Sequence, residues 1–173
     1  MTSPGPGEAA GGPGEVSIAA MIKETTVRTA AEMRTLGRGL AGCLRAGDLV
    51  VLTGPLGAGK TTLTQGIGDG LGVRGPVTSP TFVIARVHPP LAGGPALVHV
   101  DAYRLGDAAE VDDLDLDTDL DRAVTVVEWG AGVVERLAED RLEITIGRPP
   151  GGAIHDETRA VRLTGTGARW ARR

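Results

Sequence analysis

The chain has 173 residues, of which 41% are hydrophobic, and this suits one globular domain with a sizeable core. Aromatic residues make up only 2%, so the core is expected to consist of Val, Leu, Ile and Ala. A net charge of −4 gives no electrostatic argument for broad nucleic-acid binding, which usually leaves a basic footprint. The single cysteine, Cys43, excludes an intrachain disulfide. With no apolar run of about 20 residues and no secretory signal, these features predict a soluble cytoplasmic protein.

The N-terminal part of the chain changes from a low-complexity segment to regular elements. Residues 1–20 are rich in Gly, Pro, Ala and Ser and are predicted to form a disordered tail. Ile22 to Val27 is predicted to be an edge strand. Thr29 and Glu32 have the spacing of a capping box, which begins a helix that Gly47 is expected to end. Three- and four-residue spacing gives this helix one apolar face, made of Met33, Leu36, Leu40, Cys43 and Leu44.

Gly54 to Thr61 reads G-P-L-G-A-G-K-T and follows the apolar strand Leu49 to Leu52, the arrangement of a nucleoside-triphosphate P-loop. Glycines let the backbone curl and direct successive N–H groups at phosphate oxygens. A helix predicted from Lys60 to Leu71 adds unpaired amides and the positive end of its dipole. Lys60 can reach the β- and γ-phosphates, and the Thr61 hydroxyl can bind Mg²⁺. The motif predicts a triphosphate site.

Lysine usage supports this interpretation over a glycine-rich hairpin or helix cap that contains a lysine by chance. The chain has only two lysines, Lys23 and Lys60, and otherwise uses arginine for its positive charge. Retention of lysine at position 60 indicates that a compact ammonium is needed there, because arginine does not replace it.

Later segments have the patterns of strands. Thr81 to Val87 is the first, and the Pro- and Gly-rich segment His88 to Pro95 is predicted to be a loop. Ala96 to Val100 and Ala123 to Val127 are continuous apolar runs, typical of strands covered on both faces. Two more alternating segments are predicted to be outer strands, Arg141 to Ile146 and Arg159 to Leu163.

The order of strands and helices predicts an α/β protein with a three-layer P-loop NTPase fold and a largely parallel central sheet. We expect this ATPase domain to occupy residues 21–164. Residues 165–173 are predicted to be a frayed basic tail.

Two predicted strands end in an acid, Asp101 and Glu128. A P-loop needs an acid on a neighbouring strand to help hold Mg²⁺, and open α/β sheets bind ligands at the carboxyl ends of their strands. Either acid could instead cap the following turn. Spacing alone leaves open which of the two contacts the metal and which orients water.

Other polar segments have two possible roles. Ser79 to Phe82 lies where nucleotide switches often occur, although an ordinary turn is the simpler interpretation. Arg104 could neutralise phosphate charge or form a structural pair with Asp101. Trp129 is either a core anchor or a ring that moves with the nucleotide. The acidic stretch 107–121 is a solvated face or, alternatively, a partner-docking surface.

Four segments together resemble the bacterial TsaE family, also called YjeE, over about Thr25 to Ile146. They are Leu56-Gly57-Ala58-Gly59-Lys60-Thr61-Thr62, Ser79-Pro80-Thr81-Phe82, His99-Val100-Asp101-Ala102-Tyr103-Arg104-Leu105 and Glu128-Trp129. Pro55 departs from the acid or similar polar residue that is common after the first P-loop glycine. The segment His88 to Pro95 also departs from the family pattern.

The resemblance implies a small ATPase that uses ATP and Mg²⁺ and works with two partner proteins, TsaD and TsaB. These partners modify the adenosine beside the tRNA anticodon, so tRNA would be reached only through the complex. Nucleotide turnover would drive docking and resetting. The implied catalytic residues are Asp101 (orienting water), Glu128 and Lys60, with Thr61 and Glu128 as metal ligands. The implied nucleotide-binding residues are Gly54, Pro55, Leu56, Gly57, Ala58, Gly59, Lys60, Thr61, Thr62 and Trp129.

Two other functional classes fit the sequence less well than an ATPase subunit does. A GTPase switch is disfavoured because the chain contains no asparagine and therefore lacks the Asn-Lys-x-Asp motif that reads guanine. A stand-alone small-molecule kinase is disfavoured because no long Arg-rich lid is evident, although the acidic stretch could include an acceptor site.

Overall fold

The computed structural model describes residues 24–78, 85–102, 121–129, 138–153 and 156–170. Within these ranges the elements follow one another as β1 (Glu24–Val27), α1 (Ala30–Ala41), β2 (Leu49–Thr53), α2 (Lys60–Leu71), β3 (Ala85–His88), β4 (Ala96–Asp101), β5 (Ala123–Glu128), β6 (Arg141–Gly147) and β7 (Arg159–Thr166).

All seven described strands form one sheet in the order β1-β7-β6-β2-β5-β4-β3. The pairs β6–β2, β2–β5 and β5–β4 are parallel, whereas β1, β7 and β3 are attached in antiparallel fashion. The parallel centre therefore carries the P-loop strand, flanked by two strands whose carboxyl ends point the same way. This confirms the predicted α/β P-loop NTPase fold with a largely parallel central sheet.

Hydrophobic side chains pack on both faces of the sheet, because successive residues of a strand point to opposite sides. On one face, Val50 and Leu52 of β2 belong to a core that includes Leu63 and Ile67 of α2. On the other face, Leu49 and its neighbours form a second buried cluster. Both described helices lie on the first face and contact each other closely. Among the residues that the structure describes, no helix covers the second face.

The first helix begins as predicted but ends earlier. The Thr29 side chain accepts a hydrogen bond from the Glu32 N–H at 3.1 Å, while the Glu32 carboxylate accepts from the Arg28 N–H instead of the cap amide. Helix α1 ends at Ala41 and not at Gly47. The chain turns before β2 because Asp48 accepts a hydrogen bond from the Arg45 N–H at 2.8 Å, with Gly47 at a φ of 95°.

The C-terminal part of the chain differs most from the prediction. Strands β6 and β7 are not the outermost, because β1 pairs with β7 and forms that edge. Residues 165–170 are not frayed: β7 runs to Thr166 and Trp170 is 4% exposed. Arg169 holds this end by bonding Asp48, just before β2.

Several predicted features fall outside the described residues: the N-terminal tail, most of the strand predicted from Thr81, the Ser79–Phe82 segment, Arg104, the acidic stretch and residues 171–173. Within the described part of the chain, no helix is long and apolar enough to cross a membrane.

Candidate nucleotide-binding site

The predicted site residues meet where β2, β5 and β4 end and α2 begins. In the parallel register Leu52 of β2 lies opposite Glu128 of β5, which in turn lies opposite Asp101 of β4. The two acids are therefore side by side, next to the loop that leaves β2. Residues that are far apart in the sequence converge here because the central strands are parallel.

The P-loop backbone has the conformation that its glycines predict. Gly57 and Gly59 have φ values of 76° and 109°, a region that residues with a Cβ rarely adopt. Position 54 requires a glycine, because a Cβ there would lie 2.6 Å from the Ile146 carbonyl oxygen. The N-cap residue of α2, Gly59, supplies no side-chain hydrogen bond to the helix. The first amides of α2 are thus suited to bind an anion.

Lys60 is folded back into its own loop. Its ammonium donates to the carbonyl oxygens of Gly54 at 2.7 Å and Pro55 at 3.0 Å, and only 5% of the residue is exposed. The ammonium also lies 4.2 Å from the ring centroid of Trp129, a cation–π distance. Burial lowers the pKa of Lys60, and the charges of Glu128 and Asp101 act in the opposite direction.

Glu128 is buried, and two side chains contact the same oxygen of its carboxylate. The Thr61 hydroxyl lies 3.4 Å from Glu128 Oε1 and His99 Nε2 lies 3.0 Å from the same oxygen. A hydroxyl and a carboxylate beside a phosphate-binding loop are hard oxygen ligands of the kind Mg²⁺ prefers. Thr61 and Glu128 therefore fit the metal site that was predicted for them.

Trp129 has an unusual backbone. With a φ of 61°, Trp129 is the only non-glycine residue that has a positive φ in the part of the chain that the structure describes. Such strain costs about 1–3 kcal/mol and is found where the surroundings enforce it, often at functional sites. The Trp129 N–H donates to the Leu52 carbonyl at 3.0 Å, which holds the turn against the end of β2. The strained turn thus places the indole ring over Lys60.

A cleft of about 180 Å³ opens beside the P-loop. Its walls come from the P-loop, the start of α1, and the segment before β7, and they comprise Val27, Thr29, Ala30, Met33, Gly57, Ala58, Gly59, Thr62, Glu157 and Arg159. This volume is below the ~300–1,000 Å³ of sites that hold a drug-sized ligand, so it suits one part of a nucleotide.

The structure brings together the predicted loop from Gly54 to Thr62 with Asp101, Glu128 and Trp129. The contact of His99 with Glu128 depends on the register of β4 against β5, which has no local sequence signal. Sequence reasoning included His99 only within the segment His99 to Leu105 and missed this contact. It also missed Glu157 and Arg159 at the cleft, for which the sequence carries no local signal.

Comparisons with known proteins show which family the chain resembles. Residues 27–153 match the sequence profile of the family described as threonylcarbamoyl adenosine biosynthesis protein TsaE. A Streptomyces coelicolor protein named tRNA threonylcarbamoyladenosine biosynthesis protein TsaE is 66% identical over 140 residues, covering 80% of this chain and 94% of that protein. A protein of the same name from Mycobacterium tuberculosis is 54% identical over 132 residues, covering 72% of this chain and 76% of that protein.

A solved structure shares the fold. The crystal structure of Bacillus subtilis YdiB superposes with a TM-score of 0.66 at 32% sequence identity, covering 85% of this chain and 87% of that one. The match covers a large majority of each chain, so the likeness extends well beyond the P-loop motif.

Proposed function

The chain belongs to the TsaE family, and from that premise we propose that it binds and hydrolyses Mg-ATP in tRNA threonylcarbamoyladenosine biosynthesis. In this proposal it acts in the cytoplasm on a complex of TsaD and TsaB homologues and does not transfer the threonylcarbamoyl group itself. The observation that carries the ATPase part is the position of Lys60, whose ammonium is bound by P-loop carbonyls beside the Thr61–Glu128 pair.

The lysine geometry suggests how a triphosphate would be received. The carbonyls of Gly54 and Pro55 are neutral acceptors, whereas phosphate oxygens carry charge and form stronger hydrogen bonds with an ammonium. We therefore expect Lys60 to exchange the two carbonyls for the β- and γ-phosphates. The glycine-rich turn and the first amides of α2 would bind the remaining phosphate oxygens.

The acids have separate roles in this proposal. Thr61 and Glu128 would hold Mg²⁺, which would neutralise charge on the phosphate oxygens. Asp101 lies beside Glu128 at the strand ends and close enough to Lys60 to influence its pKa. In this proposal Asp101 accepts a hydrogen bond from the attacking water and so orients it.

The cleft beside Thr62 is the proposed position of the nucleoside. Gly57, Gly59 and Thr62 of the P-loop segment line this cleft, whereas Thr61 and Glu128 do not, so phosphates bound along the loop would connect the nucleoside to the metal ligands. Met33 and Ala58 form apolar parts of the cleft wall, and Arg159 contributes a planar guanidinium that can stack on a base.

The P-loop also offers a direct contact for a partner. The Leu56 side chain projects from the phosphate-binding turn and is 94% exposed. A partner that covers Leu56 would therefore respond to the conformation of the loop, which links nucleotide state to docking and resetting.

Nucleotide titration with Lys60 variants tests the proposal. Losing a charged hydrogen bond costs about 1.5–3 kcal/mol, so we expect Lys60→Ala to weaken Mg-ATP binding by roughly 10–100-fold. Lys60→Arg should also weaken it, because a guanidinium does not fit the two-carbonyl pocket. Arg38→Ala is the control, since this exposed cation pairs with Asp69 near the far end of α2.

Hydrolysis should be slow in isolation, should favour ATP over GTP, and should change when the TsaD and TsaB homologues are added. Unchanged ATP affinity in Lys60→Ala would contradict the assigned site. Robust phosphorylation of a metabolite by the isolated protein would instead support a stand-alone kinase.

A further inference from the structure

His99 is a histidine placed where a core strand would ordinarily carry an apolar residue. It lies within β4 between Val98 and Val100, and its exposed fraction is 0%. In the sheet register it lies opposite Val126, two residues before Glu128 on the same face of β5. This diagonal relation brings the imidazole to the buried side of the Glu128 carboxylate.

The hydrogen bonding of the ring fixes its orientation. Nε2 lies 3.0 Å from Glu128 Oε1, and because a carboxylate only accepts hydrogen bonds, Nε2 must carry the hydrogen. Nδ1 is buried and has no hydrogen-bond partner among the described residues. Nε2 is therefore the ring atom that anchors His99, and its partner is the Glu128 carboxylate.

The contact immobilises one particular oxygen of the carboxylate. The Thr61 hydroxyl approaches the same Oε1 from α2 at 3.4 Å, so this oxygen lies between the helix and strand β4. Thr61 can change partners when it binds a metal, whereas His99 is enclosed in the sheet and has no alternative acceptor in the described part of the chain. His99 is therefore the permanent contact and Thr61 the exchangeable one.

We propose that His99 is a positioning residue that holds Glu128 in the orientation required to bind Mg²⁺ with the nucleotide. The inference rests on the proposed Mg-ATP function. The role also accounts for a buried histidine on β4 whose Nδ1 has no hydrogen-bond partner among the described residues, where leucine would leave no polar atom unpaired. His99 touches neither phosphate nor metal in this proposal and acts only through Glu128.

The test compares nucleotide affinity with and without metal. Wild type, His99→Leu and His99→Gln are titrated with a non-hydrolysable ATP analogue, first in EDTA and then at increasing Mg²⁺. In EDTA, we expect His99→Leu to bind within about twofold of wild type, because the P-loop is intact. For His99→Leu, the Mg²⁺ concentration needed to reach the full affinity for the analogue should be about 10–100-fold higher than for wild type. This is the usual effect of removing a residue that hydrogen-bonds a metal ligand.

Two further variants separate positioning from packing. His99→Gln keeps an N–H donor and should recover part of the Mg²⁺ dependence. His88→Leu is the control for replacing a nearby buried histidine, because His88 lies on β3, close enough to His99 for their charges to interact, and its Nε2 has no hydrogen-bond partner in the part of the chain that the structure describes. It should leave the Mg²⁺ dependence unchanged.

The outcomes are distinguishable. If wild type binds the analogue more tightly with Mg²⁺ and His99→Leu shows the same Mg²⁺ dependence, the positioning role is overturned while the proposed function stands. Equal losses in EDTA and in Mg²⁺ would also overturn it, because they indicate a general packing defect. If wild type binds no nucleotide, the proposed function fails and this inference fails with it.

Discussion

Lys60 and Trp129 show how individual residues prepare the site for a charged ligand. The ammonium is almost fully buried, which opposes its charge, but two carbonyls, an indole face and two nearby acids compensate. These groups are those that a bound triphosphate would displace or complement. The direct hydrogen-bond acceptors of the Lys60 ammonium are neutral carbonyls, which the charged oxygens of a phosphate can outcompete.

At the same scale, His88 is expected to make stability depend on pH. Burial, followed by the charges of His99 and Arg86, lowers its pKa below the ordinary value of 6.5, although a hydrogen bond to the Arg74 backbone acts in the opposite direction. The unfolded chain then binds a proton at a higher pH than the folded one does. The contribution of His88 to the free energy of unfolding is fully present above pH 6.5, and it is lost as the pH falls toward the folded-state pKa.

Urea denaturation on both sides of this pH measures the effect. His88→Leu should flatten the pH dependence, because it removes the proton-binding difference between the two states. Each pKa unit of separation is worth about 1.4 kcal/mol at most. If the free energy of unfolding of His88→Leu falls with decreasing pH as steeply as that of wild type, the pH dependence comes from another group.

At the scale of elements, α1 and α2 are joined by backbone contact. A Cβ at Gly37 would lie 2.4 Å from the Leu63 carbonyl oxygen, and one at Gly66 would lie 2.2 Å from that of Arg34. Glycines at the crossing therefore let the helices approach more closely than side chains permit. Because α2 begins at the P-loop and α1 begins at the cleft, this crossing fixes one side of the nucleotide site relative to the other.

Gly66→Ala should consequently destabilise the protein. The added methyl group meets backbone, which cannot move aside as a flexible side chain could, so we expect a loss of about 1–3 kcal/mol or more. Gly42→Ala is the matched control, since its Cβ would be 3.4 Å from the nearest atom and its φ of −63° suits alanine. Chemical denaturation gives both values; equal stability of the two variants would refute the close-crossing argument.

For the whole molecule, the sequence predicted what depends on local patterns. The P-loop, its helix and the acids at the ends of β4 and β5 each have a signature within a few residues, and all lie where they were expected. Strand order does not have such a signature. The position of β6 beside β2, and the contact of His99 with Glu128 across 29 residues, depend on register in the assembled sheet.

The C-terminus was mispredicted for a related reason. Gly165, Arg169 and Trp170 look like a loose basic end because glycine and arginine are common in such ends. In the fold, a Cβ at Gly165 would lie 2.4 Å from Trp170 Cβ, so the glycine makes room for the tryptophan. The Arg169 guanidinium lies 4.4 Å from the indole centroid and donates to both Asp48 oxygens at 3.2 Å. Only tertiary contacts reveal this packing.

Trp170 and Trp129 are therefore expected to have opposite roles in the molecule. Trp170 packs in the core near the start of β2, whereas Trp129 lies at the end of β5 over Lys60. Trp170→Ala should lower the free energy of unfolding by about 3 kcal/mol, the low end of the ~3–5 range for a buried aromatic. The low end is expected because its indole N–H has no hydrogen-bond partner among the described residues, so removing it relieves that penalty.

Nucleotide affinity separates the two tryptophans. At a temperature where Trp170→Ala is folded, its Mg-ATP affinity should match wild type, because the ring is at the opposite end of β2 from the P-loop. Trp129→Ala should instead change affinity, since it removes the aromatic face beside the Lys60 ammonium. Calorimetric titration of the two variants, with urea denaturation alongside, measures both quantities. A Trp170→Ala protein that is fully folded but has lost nucleotide binding would show that the C-terminal end is coupled to the site through β2.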